Sequence, residues 1–270
     1  MKQQKKIINV FAKDDQISEE TSVLLRHKLA KAGFEIPQQF DPEADLIICI
    51  GGDGSLLHNL HQYNFPDIPF VGINTGHLGF FQDVSPDQLD EFIFNYKHGK
   101  FSLQEYKTLN AEIRSEDGTV SHHTALNEVV IRGDISRIIH LDITIGDQYV
   151  ERCSGDGVLV ATPAGSTAYN YSLGGAIVDP QLTLMQITPI APMNTTAYRS
   201  FTSSVLVPPN LVLHIHPEVT TNHGIQIATD GVYFPYLGID EIIIKFSEQG
   251  VKLLRFENYD FWSKVKSKLL

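Results

Sequence analysis

Three glycines around one carboxylate, Gly51-Gly52-Asp53-Gly54, directly follow the apolar run Leu46-Ile47-Ile48-Cys49-Ile50 and lead through Ser55 into a helix-like segment from Leu56 to Tyr63. Glycine lets a ligand approach the backbone and supplies positive φ where a turn needs it, and the amides opening the next helix carry the positive end of its dipole. That is chemistry suited to phosphate. A carboxylate among those amides works against an anion unless it takes a proton from a hydroxyl or shares a magnesium ion, so the turn points to phosphoryl transfer. Alone, the stretch is equally open to a plainer reading, in which Asp53 caps the helix behind a tight strand-to-helix connection. Neither the P-loop pattern nor the third glycine of the dinucleotide fingerprint is present.

A second constellation runs from Gly155-Asp156-Gly157 through Thr162-Pro163-Ala164-Gly165-Ser166-Thr167-Ala168-Tyr169-Asn170-Tyr171-Ser172 to Gly174-Gly175. A strand here gives way to a turn and a short polar helix start, so hydroxyls, amides and backbone N–H groups converge where a nucleotide can be held without a cation. Upstream, Asn127 and Glu128 sit side by side at a strand start, and a carboxylate there can accept both hydroxyls of a ribose. In isolation that pair reads equally as a solvated strand edge. Ser166 lacks the Gly-x-Ser-x-Gly elbow of a hydrolase nucleophile. The histidines His122-His123, His214 with His216, and His58 with His61 show no third ligand at zinc-type spacing, so no metal cage is expected.

The elements that must position these residues divide the chain. Lys6 to Ala12 reads as a strand and Ser18 to Ala32 as a helix, capped by Ser18 and closed by Gly33. After the glycine turn come a strand from Ile68 to Asn74 and a helix opened by Ser85-Pro86-Asp87 and ending near His98. Strand and helix thus alternate to about residue 100, which implies a doubly wound parallel sheet with ligands beyond the carboxyl ends of its strands. From Phe101 the period falls to two, punctuated by Asp117-Gly118, Gly146-Asp147, Asp230-Gly231 and Gln249-Gly250, each read as a turn. The expected fold is therefore an N-terminal α/β domain over 1–100 and a C-terminal antiparallel β-sandwich-like domain over 101–254. An amphipathic helix within 255–270 is expected to pack back on the first domain.

Composition narrows the function. The 270 residues carry 21 Lys and Arg against 32 Asp and Glu, a net charge of -11, which argues against binding nucleic acid or an anionic membrane surface. No apolar run approaches membrane-spanning length, and the basic start Met1-Lys2-Gln3-Gln4-Lys5-Lys6 is not followed by a signal-length run. The expected location is the cytoplasm. Two cysteines, Cys49 and Cys153, suit a reducing compartment and offer no disulfide framework.

Gly51-Gly52-Asp53-Gly54, Gly72-Ile73-Asn74-Thr75-Gly76-His77-Leu78-Gly79-Phe80, Asn127-Glu128 and the 155–175 block, in that order and spacing, together resemble the NAD kinase family, in its compact bacterial branch. The glycine turn is shared with phosphofructokinases and with diacylglycerol and sphingosine kinases; the second block points to NAD. The resemblance implies phosphorylation of the 2′-hydroxyl of the NAD adenosine ribose by ATP with magnesium or another divalent cation, giving NADP, in a homo-oligomer, either a dimer or a tetramer. It implies that Asp53 is the proton acceptor and that Gly51, Gly52 and Gly54 form the phosphate loop. It carries adenosine and ribose contacts onto Asn127 and Glu128, and other nucleotide contacts onto His58, Asn74, Phe80, Asp156, Thr162, Thr167, Ala168, Tyr169, Asn170, Ser172, Ala191 and Gln226. Tyr171 departs from the pattern, standing where relatives often have Lys. The reading requires Asp53 to face a sugar oxygen presented by the β-rich half.

Overall fold

The computed structural model describes residues 5–76, 79–134, 138–196, 199–218 and 224–270. Met1 to Gln4 of the basic start, and His77 and Leu78 of the 72–80 motif, lie outside the described residues. The chain forms two compact units, one of residues up to Tyr106 with Gly250–Leu270 and one of Lys107–Gln249.

In the first unit β1 (Ile8–Ala12), α1 (Gln16–Ala32), β2 (Leu46–Gly51), α2 (Asp53–Gln62), β3 (Phe70–Asn74), β4 (Gln82–Val84) and α3 (Leu89–Lys97) follow in order. Strands β1, β2 and β3 are parallel neighbours, with Ile8 beside Leu46 and Ile47 beside Phe70, and β4 is parallel to β3. Every residue of β2 is buried, as expected of a strand covered on both faces. Its core joins Ile48 and Ile50 to Leu25 and Leu29 of α1 and to Leu89, Phe92 and Ile93 of α3. The cap of α1 is Asp15 rather than Ser18: extended backbone at Asp15 lets its carboxylate accept the Ser18 N–H at 2.9 Å. Ser18 therefore lies inside the first turn, its hydroxyl 2.6 Å from that of Thr75. Gly33 closes α1 at φ 96°, a left-handed conformation that glycine adopts without steric cost.

The second unit is antiparallel. After β5 (Ser102–Ser115) and β6 (Val120–Ala125) come β7 (Glu128–Gly133), β8 (Ile139–Ile145), β9 (Gln148–Gly155), β10 (Gly157–Ala161), β11 (Met185–Ile190), β12 (Val205–Val207), β13 (Leu213–Pro217), β14 (Ile225–Thr229), β15 (Val232–Tyr236) and β16 (Ile239–Arg255). One sheet has the order β12-β11-β10-β7-β14-β15. Facing it are β9, β8, β13 and the first part of β16 in that order, with β5 paired to β6. Val129, Ile131, Val158, Val160 and Ile187 of the first sheet pack on Leu141, Ile143, Leu213, Ile215 and Ile242 of the second, so the core of this unit is that of a sandwich. Asp117-Gly118, Gly146-Asp147 and Asp230-Gly231 are hairpin turns with positive φ at Gly118, Gly146, Asp230 and Gly231. Gln249-Gly250 is not a turn; it lies inside β16. Gly250 is needed there because a Cβ would stand 2.8 Å from the Tyr106 carbonyl, so close approach of two backbones explains the residue that sequence reads as punctuation.

Candidate functional site

In the first unit the glycine turn sits at the carboxyl end of β2. Gly51 has φ 144°, and a Cβ on it would overlap the Ser55 side chain, so the turn closes only with glycine. Gly52 and Gly54 have no atom within reach of a Cβ and leave the ground above the helix start open. Helix α2 has no side-chain cap, and while the Ser55 N–H donates to the Gly52 carbonyl at 3.0 Å, no side chain covers the amides ahead of it. Gly52, Gly54, Ser55 and the exposed His58 line a cavity of about 650 Å³ with Lys13. Gly51 and Gly52 also line a second cavity, of about 430 Å³, with Lys13, Thr75 and Gly76. Asp14 and Asp15 also line these cavities, the latter 3.4 Å from Lys13, but the helix N-terminus, the open glycine turn and the Lys13 ammonium together suit a polyphosphate.

Asp53 does not cap the helix it begins. Its Oδ2 accepts the Phe80 N–H at 3.0 Å and its Oδ1 the Phe81 N–H at 2.9 Å, while Lys268 Nζ stands 3.2 Å from Oδ2. Two consecutive amides fix the plane of the carboxylate, and with Lys268 also on Oδ2 the lone pair left for another partner is on Oδ1. Gly79 permits this clamp, since a Cβ there would overlap both the Asp53 carboxylate and the Gln82 amide. The Phe80 ring is buried, 6.0 Å from Phe261 and beneath the Lys268 ammonium at 4.8 Å. Asn74 ends β3, where its Oδ1 accepts the Gly76 N–H at 3.1 Å.

In the second unit Asn127 and Glu128 form a buried polar pair rather than a solvated edge. Glu128 is 7% exposed, and Asn127 Oδ1, Glu128 Oε2 and the nearby Thr229 Oγ1 have no hydrogen-bond partner among the described residues. Burial, with the Asp230 charge second, pushes the Glu128 carboxyl up to about 8. Asp230 holds the strand entry by accepting the N–H groups of Leu126 at 2.8 Å, Asn127 at 2.7 Å and Glu128 at 3.3 Å. Thr162 joins from the neighbouring strand end, donating to the Leu126 carbonyl at 2.6 Å. Buried polar atoms without partners are costly, and a cluster of three is a place built for a polar ligand.

The remaining residues of the second block divide by exposure. Asp156, Tyr169, Ser172 and Ala191 are exposed, Ala191 at φ 45°, and Thr167, Ala168, Tyr171 and Gln226 are half-buried. Asn170 is wholly buried: its Oδ1 accepts the Thr188 hydroxyl at 2.6 Å, and Gly175 packs against its amide. Its side chain braces the turn beneath the exposed residues. His214 and His216 both reach Glu241, at 2.7 and 3.6 Å. Among the described residues no group of three or more His, Cys, Asp or Glu could hold a metal ion, and no helix is long and apolar enough to cross a membrane.

Asp230, Lys13, Phe81, Lys264 and Lys268 are additions to the residues singled out from sequence. Asp230 stood in an Asp-Gly pair that signals a turn, and the three lysines and Phe81 belong to no motif of their own. Only long-range contacts give them their roles.

Comparison with known proteins adds an independent line. Residues 6–101 match the family model described as the ATP-NAD kinase N-terminal domain, and residues 126–256 the one described as the ATP-NAD kinase C-terminal domain. The chain is 40% identical over 277 residues to the NAD kinase of Finegoldia magna, covering 100% of both sequences. It is 34% identical over 246 residues to that of Staphylococcus aureus strain JH9, covering 89% of this chain and 90% of the other. Among solved structures, yeast NADH kinase complexed with NADH superposes with a TM-score of 0.85 at 19% identity, over 99% of this chain and 88% of that one. An NAD kinase from Archaeoglobus fulgidus in complex with ATP gives 0.74 at 24%, over 98% and 99%. At such identities the superpositions establish the fold.

Proposed function

The chain belongs to the ATP-NAD kinase family, and from that premise we propose that it transfers the terminal phosphoryl group of ATP to the 2′-hydroxyl of the NAD adenosine ribose, with Asp53 as the base. The observation that carries the role of Asp53 is its carboxylate, aimed by the Phe80 and Phe81 amides beside an uncapped helix N-terminus.

Phosphoryl transfer asks little covalent chemistry of a protein; it needs the acceptor hydroxyl in line and the charge on the moving oxygens offset. In this reading Gly51, Gly52 and Gly54 let the phosphates approach the first amides of α2, and Lys13 adds a cation. Asn127 and Glu128 hold the adenosine ribose, which supplies partners to their orphaned oxygens. Asp156, Thr162, Thr167, Ala168, Tyr169, Asn170, Ser172, Ala191 and Gln226 form or brace the rest of the NAD site, and His58, Asn74 and Phe80 belong to the phosphate side. As the 2′-oxygen bonds to the γ-phosphorus, its proton passes to Asp53, and the bond from that phosphorus to the bridging oxygen breaks to leave ADP. A divalent cation such as magnesium would need no protein cage, and among the described residues none is formed: ATP phosphates would supply most of its ligands, with Asp53 the carboxylate that would hold it on the protein side. When bound, it neutralises charge on the transferring phosphoryl group.

A homo-oligomer, dimer or tetramer, and a cytoplasmic location complete the proposal. The exposed Val232 and Tyr233 on edge strand β15, with Leu237 beyond it, support self-association, since apolar edges are otherwise protected. Light scattering that returns a monomer would remove that part. The activity is tested by incubating the protein with NAD, ATP and magnesium and following NADP with an NADP-specific dehydrogenase. Formation of NADP supports the assignment; phosphorylation of diacylglycerol with no NADP refutes it.

A further inference from the structure

Lys264, in the C-terminal helix Phe261–Lys268, is nearly buried, its side chain 12% exposed. Its ammonium donates to the carbonyls of Phe80 at 3.3 Å and Gln82 at 2.7 Å and to Asp83 Oδ1 at 2.5 Å. Asp83 is itself fixed from the other side by Arg255 Nη1 at 2.7 Å. The Arg255 guanidinium is in turn bonded to Gln104 and Tyr106 and lies 3.8 Å over the Tyr259 ring. The cation thus stands in a rigid frame, and what it grips is the outer edge of the same backbone whose inner amides, at Phe80 and Phe81, hold the two oxygens of Asp53.

We propose that Lys264 is a positioning residue for the phosphoryl-transfer step: by tying down the carbonyls of residues 80 and 82 it fixes the amide pair that sets the plane of the Asp53 carboxylate. The inference rests on Asp53 being the base. Pairing with β3 begins only at Gln82, so residues 79–81 lie outside the ladder, and the Gln82 side chain, 1% exposed, has no hydrogen-bond partner of its own among the described residues. Freed of the ammonium, Phe80 and Phe81 can turn their amides away from Asp53 while the substrates still bind.

Steady-state kinetics on Lys264→Met, Lys264→Arg, Asp53→Asn and, as a control on the exposed face of the same helix, Lys266→Ala test this. Lys264→Met is expected to lower kcat roughly 10- to 100-fold while the KM for NAD stays within about twofold, the signature of lost orientation. Lys264→Arg, which keeps a cation and several donors, is expected to restore kcat to within about threefold of the parent. A kcat for Lys264→Met within about twofold of the parent overturns the proposal, as does an equal loss in Lys264→Arg. Should Lys264→Met not fold, Lys264→Gln carries the same expectation and the same refutation. Asp53→Asn separates the two readings: if it is inactive while Lys264→Met is not, only the positioning role fails, and if it is active the base assignment itself fails.

Discussion

Replacing Glu128 by Gln should make the unliganded protein more resistant to neutral and alkaline pH. Glu128 is 7% exposed, one of its oxygens has no partner, and burial holds its carboxyl at about 8 instead of the ordinary 4.5. A folded-state value raised in this way means that the group's contribution to stability is fully present below pH 4.5 and is lost as the pH climbs to about 8. Each pH unit in that window costs about 1.4 kcal/mol, so on the order of 3 kcal/mol is gone by pH 7. Gln does not titrate, and its stability relative to the parent should therefore rise steadily from pH 5 to pH 8 and level off above. For a chain of this size about 2–4 °C of melting temperature accompanies each kcal/mol. Thermal melts of both proteins without nucleotide at pH 5, 6, 7 and 8 read the effect. The slope of the difference is diagnostic, because the Gln amide brings a constant packing term of its own. A difference flat with pH, or one that favours the parent increasingly as pH rises, would refute the reasoning. In the same variant the KM for NAD should rise about tenfold above pH 8, where the parent carboxyl is charged and makes a charge-assisted contact to a ribose hydroxyl that the Gln amide cannot.

Three further outcomes follow from the same geometry. Gly79→Ala places a methyl group against Asp53 and the Gln82 amide, and kcat should fall on the order of 100-fold; parental turnover would show that the amide clamp is dispensable. Lys268→Ala removes an ion pair whose side chains are 34% and 24% exposed, worth about 0–1 kcal/mol, so stability should be nearly unchanged and kcat should fall less than about fivefold, as two amides still orient Asp53. The thiols of Cys49 and Cys153 are buried and pushed up to about 12 and about 11 by desolvation, so both should resist alkylation in the native protein and react only on unfolding; rapid native labelling would contradict that burial.

Much of the fold is legible because local pattern and tertiary demand agree. The unbroken apolar run of β2 belongs to a parallel strand covered on both faces, and Asp117-Gly118 and Asp230-Gly231 close hairpins as their conformational preferences require. Where pattern misleads, a long-range contact has taken over a residue with a strong local meaning. Gly250 permits a backbone approach inside a strand, and Ser18, its cap role taken by Asp15 where the chain is extended, turns its hydroxyl to that of Thr75 instead. At the site, residue types reveal the glycine turn and the Asn127-Glu128 pair. Their state is not legible: that Glu128 is buried with an orphan oxygen, or that Asp53 is gripped by residues 27 and 28 positions away, depends on packing alone. Lys264 is hidden most thoroughly, since a lysine on an amphipathic helix ordinarily marks its solvent face.

The central claim is that Asp53 takes the proton from the acceptor hydroxyl, and the most direct test is the single-turnover rate of Asp53→Asn with NAD, ATP and magnesium, measured beside its NAD affinity. The variant keeps the shape of the side chain and loses the base. A fall of roughly 100- to 10,000-fold in the transfer rate, with NAD affinity within about threefold of the parent, is the predicted result. An unchanged rate, or a loss accounted for wholly by weaker NAD binding, would contradict it.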